Sequence, residues 1–157
     1  MATHAGPAVI AYDGSPAAET AMREAGEVLA PKRAVVLVVY KAGIGIETVV
    51  VPEFSGDLPP AKLDVRTAEE VDQAMSERAR QLAEAGAELA REAGFEAEGL
   101  AVADELDVPV SETILDVARA RDAPAIVLGS HGHGPVLGST SRDVIKGSAC
   151  PVVVRRA

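Results

Sequence analysis

The sequence predicts an α/β fold, a five-stranded parallel sheet with helices on both faces. Three observations carry that expectation. Short apolar runs recur at residues 8–12, 34–40, 124–128 and 151–154, with a weaker one at 96–102. Stretches with three- and four-residue spacing of small and apolar side chains separate them. Within the second run, Val35-Val36-Leu37-Val38-Val39 is apolar throughout, which suits a strand buried on both faces. Strand and helix in alternation call for right-handed crossovers over a parallel sheet.

Taken in order, the first run ends in Asp13-Gly14-Ser15-Pro16. This combines a turn dipeptide, a candidate N-cap at Ser15 and a proline at the first helical position. The helix that follows would turn Ala21, Ala25, Val28 and Leu29 inward before Pro31. After the second strand, residues 41–65 hold three glycines and three prolines among Ile44, Ile46, Val49, Val50, Val51 and Phe54. A stretch this long without periodicity reads either as a flap packed on the protein or as a ligand lid.

From Thr67 to Ala93 the stripe Val71, Met75, Ala79, Leu82, Gly86, Leu89, Ala93 predicts a long amphipathic helix lying close against the sheet, stopped by Gly94. Asp104, Glu105 and Asp107 read as a solvated acidic loop. Ser111 is a candidate helix cap, with Val110 and Leu115 as its staple. After the fourth strand comes a glycine-rich loop. A short helix from Ser139 to Lys146, capped by Ser139 or Thr140, leads to the last strand, Pro151 to Val154.

At 157 residues the chain fits one domain. With 48% hydrophobic residues and no apolar stretch near membrane-spanning length, it reads as soluble. Its first residues lack a basic region followed by an apolar one, and its lone Cys150 suits a reducing compartment, so a cytoplasmic location is expected. A net charge of -9 argues against nucleic acid and anionic membranes as partners. The charge is segregated: residues 129–157 carry Arg142, Lys146, Arg155 and Arg156 against Asp143 alone. That basic segment coincides with the glycine loop.

The loop itself carries the chemistry. Ile126-Val127-Leu128 runs into Gly129, Gly132, Gly134 and Gly138 and then into a helix start at Ser139. Glycines let main-chain NH groups approach an anion, and a helix N-terminus adds unpaired donors and partial positive charge. A phosphate or nucleotide is the expected ligand. If the first and fourth strands are neighbours, Asp13 faces the loop across a crevice at their carboxyl ends, a carboxylate acceptor for a ribose hydroxyl or an adenine amine. Asp-Gly is also a turn dipeptide, so Asp13 has a capping role open to it.

Other motifs fit poorly. A Walker loop needs a lysine before its closing serine or threonine, whereas Gly138-Ser139 is a direct pair preceded by Leu137, and the glycine spacing is not that of a dinucleotide fingerprint. His131 and His133 would need further ligands to hold a metal, so His131 is read as a phosphate donor or as solvent-exposed. Cys150 is read as a small core residue.

Together these residues resemble the universal stress protein family over almost the whole chain. The likeness is carried by Asp13-Gly14-Ser15 after the first strand, by Ile114 to Ala118, by Gly129, Gly132, Gly138 and Ser139 of the family's nucleotide motif, and by the tail Ser148 to Val154. The resemblance implies the strand order 3-2-1-4-5. It implies that Asp13 and the main chain near Val39 meet adenine or ribose, that Leu128, Gly129, His131 and Gly132 line the sugar and first phosphates, and that Gly138, Ser139, Thr140 and Ser141 hold the phosphate chain. ATP or a related adenine nucleotide, with or without magnesium, would bind without rapid turnover. A homodimer would form through Pro151 to Val154. The chain departs from the pattern in one respect: five residues, His133 to Leu137, separate Gly132 from Gly138 where the family has nine. The shortening either removes a bulge and leaves the anion cradle, or draws the Gly138 amide away from the phosphates. A nucleotide-binding stress regulator is therefore expected, with a nucleotide-free dimeric scaffold or a slow ATP-hydrolysing or autophosphorylating enzyme as alternatives.

Overall fold

The computed structural model describes residues 4–30, 32–42, 65–130 and 137–156. They form β1 (Ala8–Ala11), α1 (Pro16–Val28), β2 (Arg33–Lys41), α2 (Val65–Glu92), β3 (Glu96–Asp104), α3 (Val110–Ala120), β4 (Ile126–Ser130), α4 (Ser139–Gly147) and β5 (Val152–Arg156). The strands pair in parallel in the order β3-β2-β1-β4-β5, as expected.

Strand alternation divides the core between the two faces of the sheet. Ile10, Val36, Val38 and Val127 point into one cluster, with Met22 of α1 and Ala83 and Ala87 of α2. Val9, Leu37, Ile126 and Leu128 point into the other, with Ile114 of α3 and Val144 of α4. Both faces are thus covered, and this is why the central strands read as uninterrupted apolar runs. The second helix owes its closeness to the sheet to small residues. A Cβ on Gly86 would fall 2.6 Å from Tyr12 Cδ1, and one on Gly99 of β3 would fall 2.7 Å from the Ala83 main chain. Gly94, at φ +101°, ends the segment in the left-handed region that glycine tolerates.

Several expectations change. Val28 is 70% exposed, because α1 ends there and Leu29, as C-cap, leaves the helix to pack on the core. Ser111 is not a cap. Pro109 fills that position with no side-chain cap bond, α3 already begins at Val110, and the Ser111 side chain is buried. Proline suits that entry because it has no amide to satisfy. The weak third strand is nine residues long and paired with β2 along its whole length. The fourth runs Ile126–Ser130, two residues later than its apolar run, because ladder bonds continue through Gly129 and Ser130 opposite Arg155 and Arg156. Asp104, expected in solvent, is 7% exposed and ion-paired with Lys41. Nearly all of the 41–65 segment lies outside the described residues, and so does its reading as flap or lid.

Candidate functional site

The turn after β1 follows from its sequence. Gly14 has φ +79°, the Ser15 amide donates to Asp13 Oδ1 at 2.9 Å, and Ser15 Oγ in turn accepts the Ala18 amide at 3.2 Å as the N-cap of α1. Asp13 therefore does fill the turn-capping role open to it, while remaining exposed at the carboxyl end of β1. The connection from β1 enters the face that holds α1 and α2; α4, which follows β4, packs on the opposite face. Diverging connections of this kind open a crevice between neighbouring strands. The ladder shows the opening directly. Strands β1 and β4 pair only at Val9 with Ile126 and at Ile10 with Val127, whereas β1 and β2 stay paired through Ala11 and Leu37.

Beyond that point lies a cavity of about 300 Å³. Ala11, Leu37 and Leu128 form its apolar floor, Val39 of β2 and Val110 and Ile114 of α3 its apolar walls. At its polar side stand Asp13 and, from the first turn of α4, Thr140 and Ser141. Tyr12 also lines it. Burial, and then the Glu19 carboxylate that its hydroxyl contacts at 3.3 Å, push the Tyr12 phenol above its ordinary value of 10.0, so it stays protonated near neutrality.

Helix α4 starts without a side-chain cap. Gly138 is its N-cap, so neither Ser139 nor Thr140 serves as expected. Ser139 is exposed and Ser141 buried. The Gly138 amide donates to Ser130 Oγ at 3.2 Å, whereas an uncapped first turn leaves the following amides without helical partners.

Of the residues singled out from sequence, Asp13, Val39, Leu128, Gly129, Thr140 and Ser141 line the one cavity. Gly138 and Ser139 adjoin it as the start of α4. His131 and Gly132 lie outside the described residues. Gly129 has a different local reason from the one expected. It is a strand residue, not a loop residue, and a Cβ there would fall 2.5 Å from the Ala17 and Ala18 main chain, so its lack of a side chain admits the first turn of α1. The walls from α3 and the floor residue Leu37 were not foreseen as site residues. Their signal was present as apolar periodicity, which marks core and pocket alike.

A larger, more open groove of about 640 Å³ lies at the opposite edge, by the amino ends of β2 and β3. It contains Arg33, Arg91 and Arg121, each already bonded to protein acceptors: the Ala5 carbonyl, the Ala97 carbonyl with Glu84, and Glu98. The smaller crevice at the carboxyl ends is the one whose chemistry suits a ligand. Among the described residues no group of three or more His, Cys, Asp or Glu is arranged to hold a metal, and no helix is long and apolar enough to cross a membrane.

A model of the universal stress protein family matches residues 6–156. The chain belongs to that family. Solved structures of similar fold include the hypothetical protein MJ0577, with 20% identity and a TM-score of 0.70 over 99% of this chain and 98% of that one. A universal stress protein from Archaeoglobus fulgidus in complex with dAMP shares 23% identity and a TM-score of 0.56 over 98% and 99% of the two chains. A universal stress protein in complex with cAMP shares 20% identity and a TM-score of 0.59 over 95% of each. No curated protein sequence matches the chain. At these identities the structural likeness speaks for the fold, and the family match speaks for membership.

Proposed function

We propose that this universal stress protein is a single-domain cytoplasmic regulator that binds an adenine nucleotide, ATP among them, in the crevice between β1 and β4, and that occupancy changes its shape or its partner. The observation that carries the reading is the early end of the β1–β4 ladder, which opens an apolar slot with Asp13 and the uncapped start of α4 at its polar side. Apolar walls suit the faces of a purine, and a carboxylate suits a ribose hydroxyl or the adenine amine. Helix amides with no internal partner suit phosphate oxygens. In this reading Val39 and Leu128 contact base and sugar, and Ser139, Thr140 and Ser141 meet the phosphates; His131, Gly132 and Gly138 complete the motif. Relatives solved with dAMP and cAMP support adenine as the base.

Binding without turnover is the chemistry proposed. Hydrolysis or phosphoryl transfer needs charge set around the phosphates, and among the described residues that line the crevice Asp13 alone carries a carboxylate. Any magnesium would arrive with the nucleotide. We also propose a homodimer through β5, a sheet-edge strand whose Val152, Val153 and Val154 are only half-buried. The shortened glycine loop favours one second reading, a dimeric scaffold of the same fold that has lost its ligand. Denaturing freshly purified protein and weighing what it releases separates the two. An adenine nucleotide in stoichiometric amount is expected. No released nucleotide, together with no heat on titrating ATP, would leave the scaffold.

A further inference from the structure

Lys41 and Asp104 are the last residues of β2 and β3 and stand opposite each other in register. Their side chains meet, with Lys41 Nζ 3.4 Å from Asp104 Oδ2. The same carboxylate oxygen accepts the hydroxyl of Thr113, from the first turns of α3, at 2.7 Å. The Lys41 ammonium also donates to the main-chain carbonyls of Glu105, at 3.0 Å, and Val108. Its three hydrogens thus have three protein acceptors. Lys41 is therefore not a cation held out for a phosphate; it ties the loop between β3 and α3 to the end of β2.

A buried ion pair returns little net stability, since desolvation offsets the attraction. What this one does is fix a distance. Val39, two residues before Lys41 and on the same strand face, is one wall of the crevice. Val110 and Ile114, on either side of Thr113 in sequence, form the other. The bonds from Lys41 and Thr113 to Asp104 join the two walls just outside the apolar end of the slot.

We infer that Lys41, Asp104 and Thr113 form a clasp that sets the width of the crevice at its base end, and so act as positioning residues for purine selection. The inference rests on the adenine-nucleotide reading above. Walls held at a fixed separation and offset accept the edge of adenine and resist that of guanine, which carries an amine on C2 where adenine has a hydrogen and an oxo group on C6 in place of adenine's amine. Releasing α3 lets the walls part and weakens that distinction.

The test uses the full chain and titration calorimetry with ATP, GTP and adenosine. Thr113→Val removes the hydroxyl donor at nearly constant shape, Lys41→Met removes the ammonium and keeps the stem, and Lys41→Arg keeps the charge. Thr113→Val and Lys41→Met are expected to weaken ATP and adenosine by a common factor of about 10 and to lower the preference for ATP over GTP. Lys41→Arg is expected to recover most of that preference, which a general loss of stability would not do. If Lys41→Met does not fold, Thr113→Val decides alone. Folded variants with wild-type affinity and preference would overturn the clasp and leave the site standing. A loss for ATP but not adenosine would overturn it as well, by assigning Lys41 to the phosphates. A wild type that binds none of the three would end the adenine reading, and the clasp with it.

Discussion

Ser130 Oγ accepts the main-chain amide of Gly138 at 3.2 Å, so the residue that ends β4 holds the residue that opens α4. The bond ties together the two ends of the glycine loop. Ser130 is 3% exposed, so its hydroxyl is a buried acceptor whose loss leaves the amide without that partner. Ser130→Ala should cost about 1 to 2 kcal/mol in urea unfolding. An unchanged midpoint would mean that the loop ends are held by other contacts.

Two glycines of the motif should behave differently on substitution. A Cβ on Gly129 collides with the Ala17 and Ala18 main chain, while one on Gly138 meets Ser130 Oγ at an ordinary 3.8 Å, and Gly138 has φ -59°. Gly129→Ala is expected to destabilise by about 1 to 3 kcal/mol through overpacking, and Gly138→Ala by under about 1 kcal/mol as a change of N-cap residue. Comparable thermal midpoints for the two variants would contradict the packing assigned to Gly129.

Asp13 holds the turn and, in the proposed function, the nucleotide. Asp13→Asn keeps an acceptor for the Ser15 amide and removes the charge; Asp13→Ala removes both. Calorimetry with ATP should show Asp13→Ala weakened about 10- to 100-fold, the value of a charged hydrogen bond. Asp13→Asn should fall between it and the wild type, with a thermal midpoint near the wild-type value. Wild-type affinity in a folded Asp13→Ala protein would remove Asp13 from the site.

The proposed dimer predicts that Val153→Lys shifts the mass measured by light scattering towards the monomer. Val153 is half-buried against the α1 face, so circular dichroism must first show that the variant is folded. A folded variant that keeps a dimeric mass would assign the contact elsewhere.

At the opposite edge, Asp122 at φ 51° closes the turn between α3 and β4. Its carboxylate accepts the Ala5 amide at 3.0 Å and lies 2.7 Å from His4 Nδ1. The Ala5 amide, and then the bond to His4, hold its pKa below the ordinary value of 3.8. A depressed folded value means that this contact stabilises fully above the ordinary carboxylate range and is lost as pH falls through the lower, folded value. Protection of the Ala5 amide, measured as its exchange relative to an unstructured peptide at the same pH, should persist throughout the ordinary carboxylate range and be lost only as pH falls below it. Asp122→Asn should flatten that acid dependence; an unaltered profile would break the link between the carboxylate and the amino-terminal segment.

The sequence by itself determined the elements and the neighbourhood of the site. The period of its apolar residues separates strand from helix, and Asp13-Gly14-Ser15-Pro16 specifies a turn and a cap that the structure forms almost atom for atom. Local rules suffice there because every partner lies within a few residues. Tertiary structure decided what depends on distant partners. Asp104 looks like a solvated acid until Lys41 and Thr113, 63 and 9 residues away, are brought to its carboxylate. Gly129 looks like a loop glycine until α1 packs across it. The walls from Val110 and Ile114 carry the same apolar signal as the core, because a pocket for a purine and a packed interior are built from the same side chains. Only the parting of β1 from β4 after Ile10 and Val127 tells the two apart.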